Sequence, residues 1–456
     1  MITVKIGGVL VGTKTGIDEL LQFINDNIDH SPVIVTSAVK SCTNLLVDIV
    51  HEVAERILSV DHAVSKFANV HSDLVNDLKL DPNLLKDIYL NLKKVLSIIY
   101  DKKKTVRSDI DSVLRFGEDA AVCIISNYFK ANNIDIIPFY GEDTLITTND
   151  SFGSAEVIME KTISNIKNCT NLTSGAVPII TGFVGKTTDG RVSTTGRNSS
   201  DYTACIIAGA LGCDAVYIFK DVCGIMSADP AIVSDANRIS HVSFNEALEI
   251  SELGGRVIHP KAVRVCSDFG IKVQISKPNE NDICGTIISA QSYNRADFLA
   301  IGCKKNISII NISSSLMVGA YGFLERIFRV FTFHRVVVDV VSTSQSSVSV
   351  TVDNYSKMNK NLIDKLLEDL REIGDVKIFD NCATIGVVSN WQYLSNSSKL
   401  LQIFGVLQHL DVDVKIISQS VSGASVSFVV DSNKCDQVVC KLHKTLFSTE
   451  SLRKIK

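Results

Sequence analysis

The feature that most restricts the fold is a repeat near the C-terminus. Residues 322–353 read GFLERIFRVFTFHRVVVDVVSTSQSSVSVTVD, and residues 398–431 read SKLLQIFGVLQHLDVDVKIISQSVSGASVSFVVD. Each copy passes from a helical stretch through one strand and a polar turn to a second strand. The strand SIINISS precedes the first copy, and the helix MNKNLIDKLLEDLREI and strand DVKIFD follow it. CATIGVVS and KCDQVVCKLHKTL frame the second copy in the same way. Two ferredoxin-like β-α-β-β-α-β modules satisfy this order.

The N-terminal part has another texture. Short apolar runs read as strands at 3–6, in SPVIVTSAV, in IDIIPFY, at 176–183 (AVPIITGF) and in AVYIFK; helical patterns such as LLVDIVHEVAERIL and YTACIIAGALGC lie between them. Residues 64–117 read as successive helices with few strand signals. Strands alternating with helices predict an α/β domain with a largely parallel sheet. The expected domains are therefore 1–292, with a helical insertion at about 64–117, then modules at 293–380 and 381–456.

Composition narrows the class of protein. The chain of 456 residues has a net charge of −4 and a pI of about 6.2, without the basic excess of a general nucleic-acid binder. Its mean hydropathy is +0.20, enough to build a large core, yet no stretch is long and apolar enough to span a bilayer. The start, MITVKIGG, lacks the basic and apolar regions of a signal peptide. Twelve cysteines occur without a single C-x-x-C pair, so zinc spacing is missing. Reduced, mostly buried thiols in a cytoplasmic protein are expected.

Two near-matches to the P-loop fail. GGVLVGTK has its Thr and Lys in the wrong order, and ITGFVGKT has Ile180 where the first glycine belongs. What remains is Lys5 followed by Gly7 and Gly8 at a strand end. Adjacent glycines let backbone N–H groups approach an anion, and Lys5 adds a charge; a Gly-Gly pair in this place is equally an ordinary turn. Ser37 and Thr43, after the next strand, are plain turn residues taken singly. The stretch TTGRNSSDYTA (194–204) is more specific. Arg197 is a planar fork suited to a carboxylate, and Ser199, Ser200 and Asp201 occupy N-cap positions ahead of the helix at 202–211. Asp221, Gly224 and Asp229 in FKDVCGIMSADP form a turn-rich segment after a strand, compatible with a nucleotide pocket or with two plain turns.

Together these pieces resemble the aspartate kinases, within the amino-acid kinase fold. KIGG stands where that family has Lys-Phe-Gly-Gly-Thr-Ser, VTSAVKSCTNLL is similar to its Ser-Ala-x-x-x-x-Thr-Asn stretch, and GRNSSDYTA to its Gly-Arg-Gly-Gly-Ser-Asp-x-Thr-Ala. KDVCGIMSADPAIVSDANRI and FNEALEISELGGRVIHPKAV continue in the family's order, and the C-terminal repeat resembles its paired ACT modules. The resemblance implies ATP-dependent phosphorylation of the β-carboxylate of L-aspartate to 4-phospho-L-aspartate. By the family's pattern, Lys5 and the Gly7 and Gly8 amides hold the transferred phosphoryl group, with Lys5 and Asp201 catalytic. Ser37, Thr43, Glu118, Arg197, Ser200 and Asp201 surround aspartate, Glu118 facing its amino group and Arg197 its α-carboxylate. Lys220, Asp221, Gly224, Met226 and Asp229 line ATP, with Arg256 near its phosphates. Mg²⁺ is expected as cofactor, held mainly by ATP phosphates rather than by dedicated protein ligands.

The chain departs from that pattern at Val9-Leu10 (for Thr-Ser), Asn198-Ser199 (for two glycines), Ala231 (for Arg) and Arg256 (for Lys). Two alternatives stay open: an amino-acid kinase for another acidic substrate and, motivated by the departures at Val9, Leu10 and Ala231, a non-catalytic amino-acid sensor with a degenerate kinase domain. ACT modules resemble small effector-binding domains that pair across a dimer, so a homodimer is implied. In the lysine-sensitive kinases the first module carries the effector; the matching residues are Met317, Tyr321, Gly322, Phe323, Leu324, Asp339, Ser344 and Gln345. Asp339 could receive a ligand ammonium, while Gln345 replaces a Glu, implying weakened inhibition by L-lysine.

Overall fold

The computed structural model describes residues 1–254, 257–278, 285–291, 297–353, 355, 358–389, 396–419 and 425–447. By internal contacts the chain forms two units. The first comprises 1–225, 240–247 and 257–293; the second comprises 226–239, 248–256 and 294–456.

The first unit opens with β1 (Ile2–Ile6), short α1 (Gly8–Val11), α2 (Lys14–Asp26), β2 (Pro32–Thr36) and α3 (Cys42–Ala54). Helices α4 (Val60–Asp77), α5 (Lys86–Lys102) and α6 (Arg107–Ala131) fill the stretch with few strand signals. There follow β3 (Ile136–Phe139), β4 (Thr147–Thr148), α7 (Met159–Asn168), β5 (Val177–Thr181), β6 (Val184–Thr187), β7 (Val192–Thr194), α8 (Ser200–Leu211) and β8 (Ala215–Phe219). β9 (His241–Ser243), α9 (Phe244–Glu252), α10 (Pro260–Phe269), β10 (Lys272–Ser276) and β11 (Thr286–Ser289) complete the series.

One sheet, ordered β3-β5-β2-β1-β8-β10-β11-β9, organises the unit. Its strands are parallel except for the antiparallel β10–β11 pair. Strands β1, β2 and β5 are buried along their whole length, as strands with both faces covered must be. Leu46, Ile49, Phe67, Leu92, Phe116 and Ile124 join α3–α6 to Val4, Ile6 and Ile34 in one apolar cluster. Burying an aliphatic side chain of this kind contributes about 1.5–3 kcal/mol, which explains why the helical segment is integral to the sheet's core. Among the described residues no helix is long and apolar enough to cross a membrane.

The second unit contains β12 (Phe298–Ser313), α11 (Phe323–Phe333), β13 (Val341–Thr343), β14 (Ser347–Asp353), α12 (Lys360–Arg371) and β15 (Asp375–Ser389). α13 (Asn396–His409), β16 (Ile416–Gln419), β17 (Ser425–Asp431) and α14 (Cys435–Leu446) follow. The antiparallel sheet runs β13-β14-β12-β15-β17-β16. The sequence suggested separate strands SIINISS, DVKIFD and CATIGVVS. In the structure β12 extends back to Phe298, and DVKIFD and CATIGVVS are one strand, β15. Both long strands kink where the register shifts near Lys305–Ile307, with Asn306 (φ 60°) and Asn381 (φ 55°) in the left-handed region that asparagine tolerates.

This kink separates two cores. Ile310, Ile312, Phe323, Ile327, Val350 and Leu366 pack on one side of it. Phe298, Ile301, Ile385, Val387, Phe428 and Leu442 pack on the other, together with Ala228 and Val233. The first half of β12 therefore serves the core of α13 and α14, although it precedes the other core in the chain.

Candidate active site

Register fixes one level at which four strands release the chain. Ile6 pairs with Thr36 and Phe219, and Thr36 pairs with Thr181. Gly7, Ser37, Gly182 and Lys220 are the next residues, and they form a rim. In open parallel sheets, ligands bind beyond the carboxyl ends of the strands.

The turn after β1 is shaped for close backbone approach. A Cβ on Gly8 would stand 2.4 Å from the Ala38 carbonyl oxygen, and Lys40 N donates to Gly8 O at 2.9 Å. The expectation that both glycine amides face a phosphate needs correction, because Gly7 N donates to Phe219 O at 2.9 Å. The amides of Gly8 and Val9 have no acceptor among the described residues, as befits the first turn of α1.

Behind this turn lies a buried charge cluster. Lys5 Nζ stands 2.8 Å from Asp201 Oδ1, and Lys220 Nζ 2.8 Å from Asp201 Oδ2. The side chains of Lys5, Asp201 and Lys220 are 6, 2 and 18% exposed. Among the described residues Lys5 pairs with Asp201 alone, whereas Lys220 donates both to Oδ2 and to Val257 O. Burial lowers the Lys5 pKa, and Asp201 opposes that shift. Burial would raise the Asp201 pKa, but the two ammonium groups overcome it and hold the carboxyl at about 2. Two cations and one anion leave a surplus positive charge in a nearly dry place, a strong attractor for anions.

Glu118, on α6, supplies the opposite kind of site. Its Oε1 accepts the Ala38 amide at 3.3 Å, while its Oε2 is buried with no partner among the described residues. Burial pushes its pKa up to about 8, against the Ala38 hydrogen bond. A carboxyl in this state is ready to ionise on meeting a cation. Its neighbour Asp119 is structural, accepting Gly141 N at 2.6 Å and standing 3.5 Å from Arg115.

Arg197 lies on the loop before α8, exposed and without an ion-pair partner among the described residues. Gly196 (φ 94°) and Asn198 (φ 62°) both take left-handed backbone there. Arg197 lines a cleft of about 210 Å³ with Thr43, Arg107, Asp111 and Thr194. Lys5 is not among the residues lining that cleft. The first turn of α8 joins the cleft to the charge cluster through the chain, from Arg197 to Asp201.

Most hydroxyls of this loop build the loop itself. Thr194 donates to both Asp111 oxygens at 2.9 Å, Thr195 and Ser199 hydroxyls are 2.7 Å apart, and Ser199 donates to Gly196 O. Ser199 is the N-cap residue but makes no side-chain cap bond. Ser200 has no partner among the described residues and is buried close to the rim, where Gly182 would meet its Cβ. Sequence reasoning missed Asp111. It is buried in α6 and also accepts Gly153 N at 2.9 Å, tying together two loops of the cleft. Its signal was faint, one acid among several charged residues of α6.

The expected nucleotide residues are dispersed. Asp221 is exposed beside Lys220. Gly224 (φ 112°) leaves room for Thr286, whose Oγ1 accepts Ile225 N at 2.7 Å. Met226 and Asp229 belong to the second unit, where Asp229 Oδ1 accepts Ala231 N at 2.9 Å. Arg256 lies outside the described residues.

In the second unit, Phe323 is core and Met317 packs against that core, while Tyr321 and Leu324 are exposed. Gly322 is the left-handed N-cap of α11. Ser344 caps the β13–β14 turn through Ser346 N and Ser347 N, and Gln345 is exposed. Ser314 N bonds Ser346 O at 2.9 Å, which brings the Met317 loop to this turn. Asp339 is not free: Lys304 Nζ lies 2.7 Å from its Oδ2, and 3.9 Å from Asp353.

Known proteins share this architecture. The profile of the Amino acid kinase family matches residues 1–277, and an ACT domain profile matches residues 400–446. Aspartokinase 1, chloroplastic, of Arabidopsis thaliana is 29% identical over 99% of this chain and 81% of its own length. Lysine-sensitive aspartokinase 3 of Escherichia coli K12 is 28% identical over 91% of this chain and 92% of its own. The crystal structure of E. coli aspartokinase III with aspartate and ADP superposes with a TM-score of 0.86 at 25% identity, covering 98% of this chain and all of that one. The same enzyme with lysine and aspartate gives 0.75 at equal identity and coverage.

Proposed function

The chain belongs to the amino acid kinase family, and from that premise we propose how its residues act as an aspartate kinase. It transfers the γ-phosphoryl group of ATP to the β-carboxylate of L-aspartate, giving 4-phospho-L-aspartate, the first step of the aspartate family of amino acids, under feedback by L-lysine. The relatives' names and the ligands of the E. coli enzyme support the substrate pair and the effector.

The observations that carry the mechanism are the surplus cation at Lys5, Asp201 and Lys220 and the Glu118 oxygen that has no partner among the described residues; Glu118 also holds the Ala38 amide while Gly8 closes on the Ala38 carbonyl. The nucleophile is a carboxylate already ionised at neutral pH, so no general base is needed. The obstacle is repulsion between two anions, which positioning and fixed charge overcome. Lys5, held charged by Asp201, faces the transferred group, and the Gly8 and Val9 amides donate to its oxygens. Glu118 takes the substrate's ammonium, Arg197 its α-carboxylate, and Ser200, Ser37 and Thr43 complete the pocket. Lys220, Asp221, Gly224, Met226, Asp229 and Arg256 serve the nucleotide. Mg²⁺ bound with ATP would be held mainly by the phosphates and would supply charge neutralisation there. The effector site is at Met317, Tyr321–Leu324, Ser344 and Gln345 of the first ACT module, and the enzyme is a cytoplasmic homodimer joined through these modules.

Trapping the acyl phosphate as a hydroxamate tests the assignment, with L-aspartate and L-glutamate side by side. Product from aspartate alone is expected. Product from glutamate alone would indicate the other acidic substrate, and none from either would indicate a sensor with a silent kinase domain.

A further inference from the structure

We propose that Cys303 and Cys435 form a peroxide-sensitive thiol pair that closes reversibly to a disulfide between β12 and the start of α14. Cys435 is the first residue of α14 and is fully buried, whereas Cys303 is partly exposed. Cys303 packs against the apolar cluster that contains Cys435, and each thiol lies close enough to influence the other's ionisation. Beside them Lys305, on the same strand face as Cys303, pairs with Asp436 at 2.6 Å. Strand and helix are thus pinned together next to the two sulfurs.

The pair is polarised. The neighbouring Cys435 lowers the Cys303 pKa, with help from Lys305 and against burial, Asp436 and Asp229. Cys303 and burial raise that of Cys435. Cys303, the partly exposed thiol, meets the oxidant first and is the nucleophile; the buried Cys435 is the resolving thiol. In the first step the Cys303 thiolate attacks one oxygen of hydrogen peroxide, the O–O bond breaks, and hydroxide leaves; sulfur is oxidised to a sulfenic acid. In the second, the Cys435 sulfur displaces the hydroxyl as water, and the S–S bond forms. One peroxide is reduced for each disulfide. Cys266 also lies close enough to influence the ionisation of Cys205, but both are completely buried and shielded from oxidant.

The test treats the full-length protein with a few equivalents of hydrogen peroxide, blocks remaining thiols and maps the peptides. Expected are loss of two hydrogens, a single Cys303–Cys435 linkage and its reversal by dithiothreitol. Cys435→Ser is expected to trap a dimedone-reactive sulfenic acid at Cys303, and Cys303→Ser to abolish the mass change. Cys440 is the exposed competitor; its oxidation ahead of Cys303, or conversion of Cys303 to a sulfinic acid without linkage, overturns the proposal. The wild-type peptide map decides the matter even if a variant misfolds.

Discussion

Lys5 and Asp201 form a buried ion pair: their charged atoms stand 2.8 Å apart, and both side chains are almost wholly buried. The carboxylate opposes the effect of burial and favours the charged ammonium. Lys220, by contrast, spends donors on Asp201 and on Val257 O. Of the two cations, Lys5 is the one with no second acceptor among the described residues.

Asp201→Asn leaves two buried ammonium groups without their anion. The expected cost is about 3–5 kcal/mol at neutral pH, read by denaturant unfolding. The pH dependence carries a second signature. Asp201's carboxyl is depressed from 3.8 to about 2 in the folded state, so its stabilisation is complete above about pH 4 and fades as pH falls toward 2. The variant should lack that acid limb; a wild-type limb in the variant would show that Asp201 is not its source.

Glu118 predicts the opposite trend. Its folded pKa is raised to about 8 from 4.5, so its contribution to stability is present below pH 4.5 and is lost as pH rises through 8. Glu118→Gln should therefore be the more stable protein at alkaline pH. If ionised Glu118 holds the substrate ammonium, kcat/KM for aspartate rises with pH through an apparent pKa near 8, and Glu118→Gln flattens that rise while raising KM. An unchanged profile in the variant would remove Glu118 from the binding site.

Lys304 occupies the carboxylate at which an effector ammonium was expected. Lys304→Met frees Asp339. If Asp339 belongs to the effector site, lysine then inhibits at a concentration lower by about three- to fivefold, equivalent to a partly exposed ion pair of ~1 kcal/mol. Titration of initial rate checks this. Equal inhibition of both proteins excludes competition by Lys304, and a flat response in both excludes lysine as effector.

Gly8→Ala forces a methyl group against the Ala38 carbonyl, 2.4 Å away. The loops after β1 and β2 must part, so a loss of about 1–3 kcal/mol is expected together with a large fall in kcat. A variant with normal melting temperature and activity would show that this close approach is dispensable.

The parallel sheet and the C-terminal repeat were legible because each rests on local periodicity. Lys5, Gly8 and Asp201 stood out as charged residues and a glycine near element ends, whereas Glu118, inside α6, was legible only through the family resemblance. What the sequence hid depends on distant partners. Lys304 and Asp339 are 35 positions apart, Asp111 and Thr194 are 83 apart, and neither pair leaves a motif. The loop's hydroxyls looked like ligand contacts, yet Thr194, Thr195 and Ser199 hold the loop together and Ser200 alone among those four lacks a protein partner within the described residues. The continuity of β12 was masked by Lys304-Lys305-Asn306, a polar break that the fold accommodates as a kink.

The rate of 4-phospho-L-aspartate formation at saturating ATP, Mg²⁺ and aspartate, compared between the wild-type protein and Lys5→Met, tests the role of the buried cation most directly. Loss of about 10²–10³-fold in kcat with a folded variant is predicted for a group that stabilises transferred charge. A variant that retains the wild-type rate would contradict it.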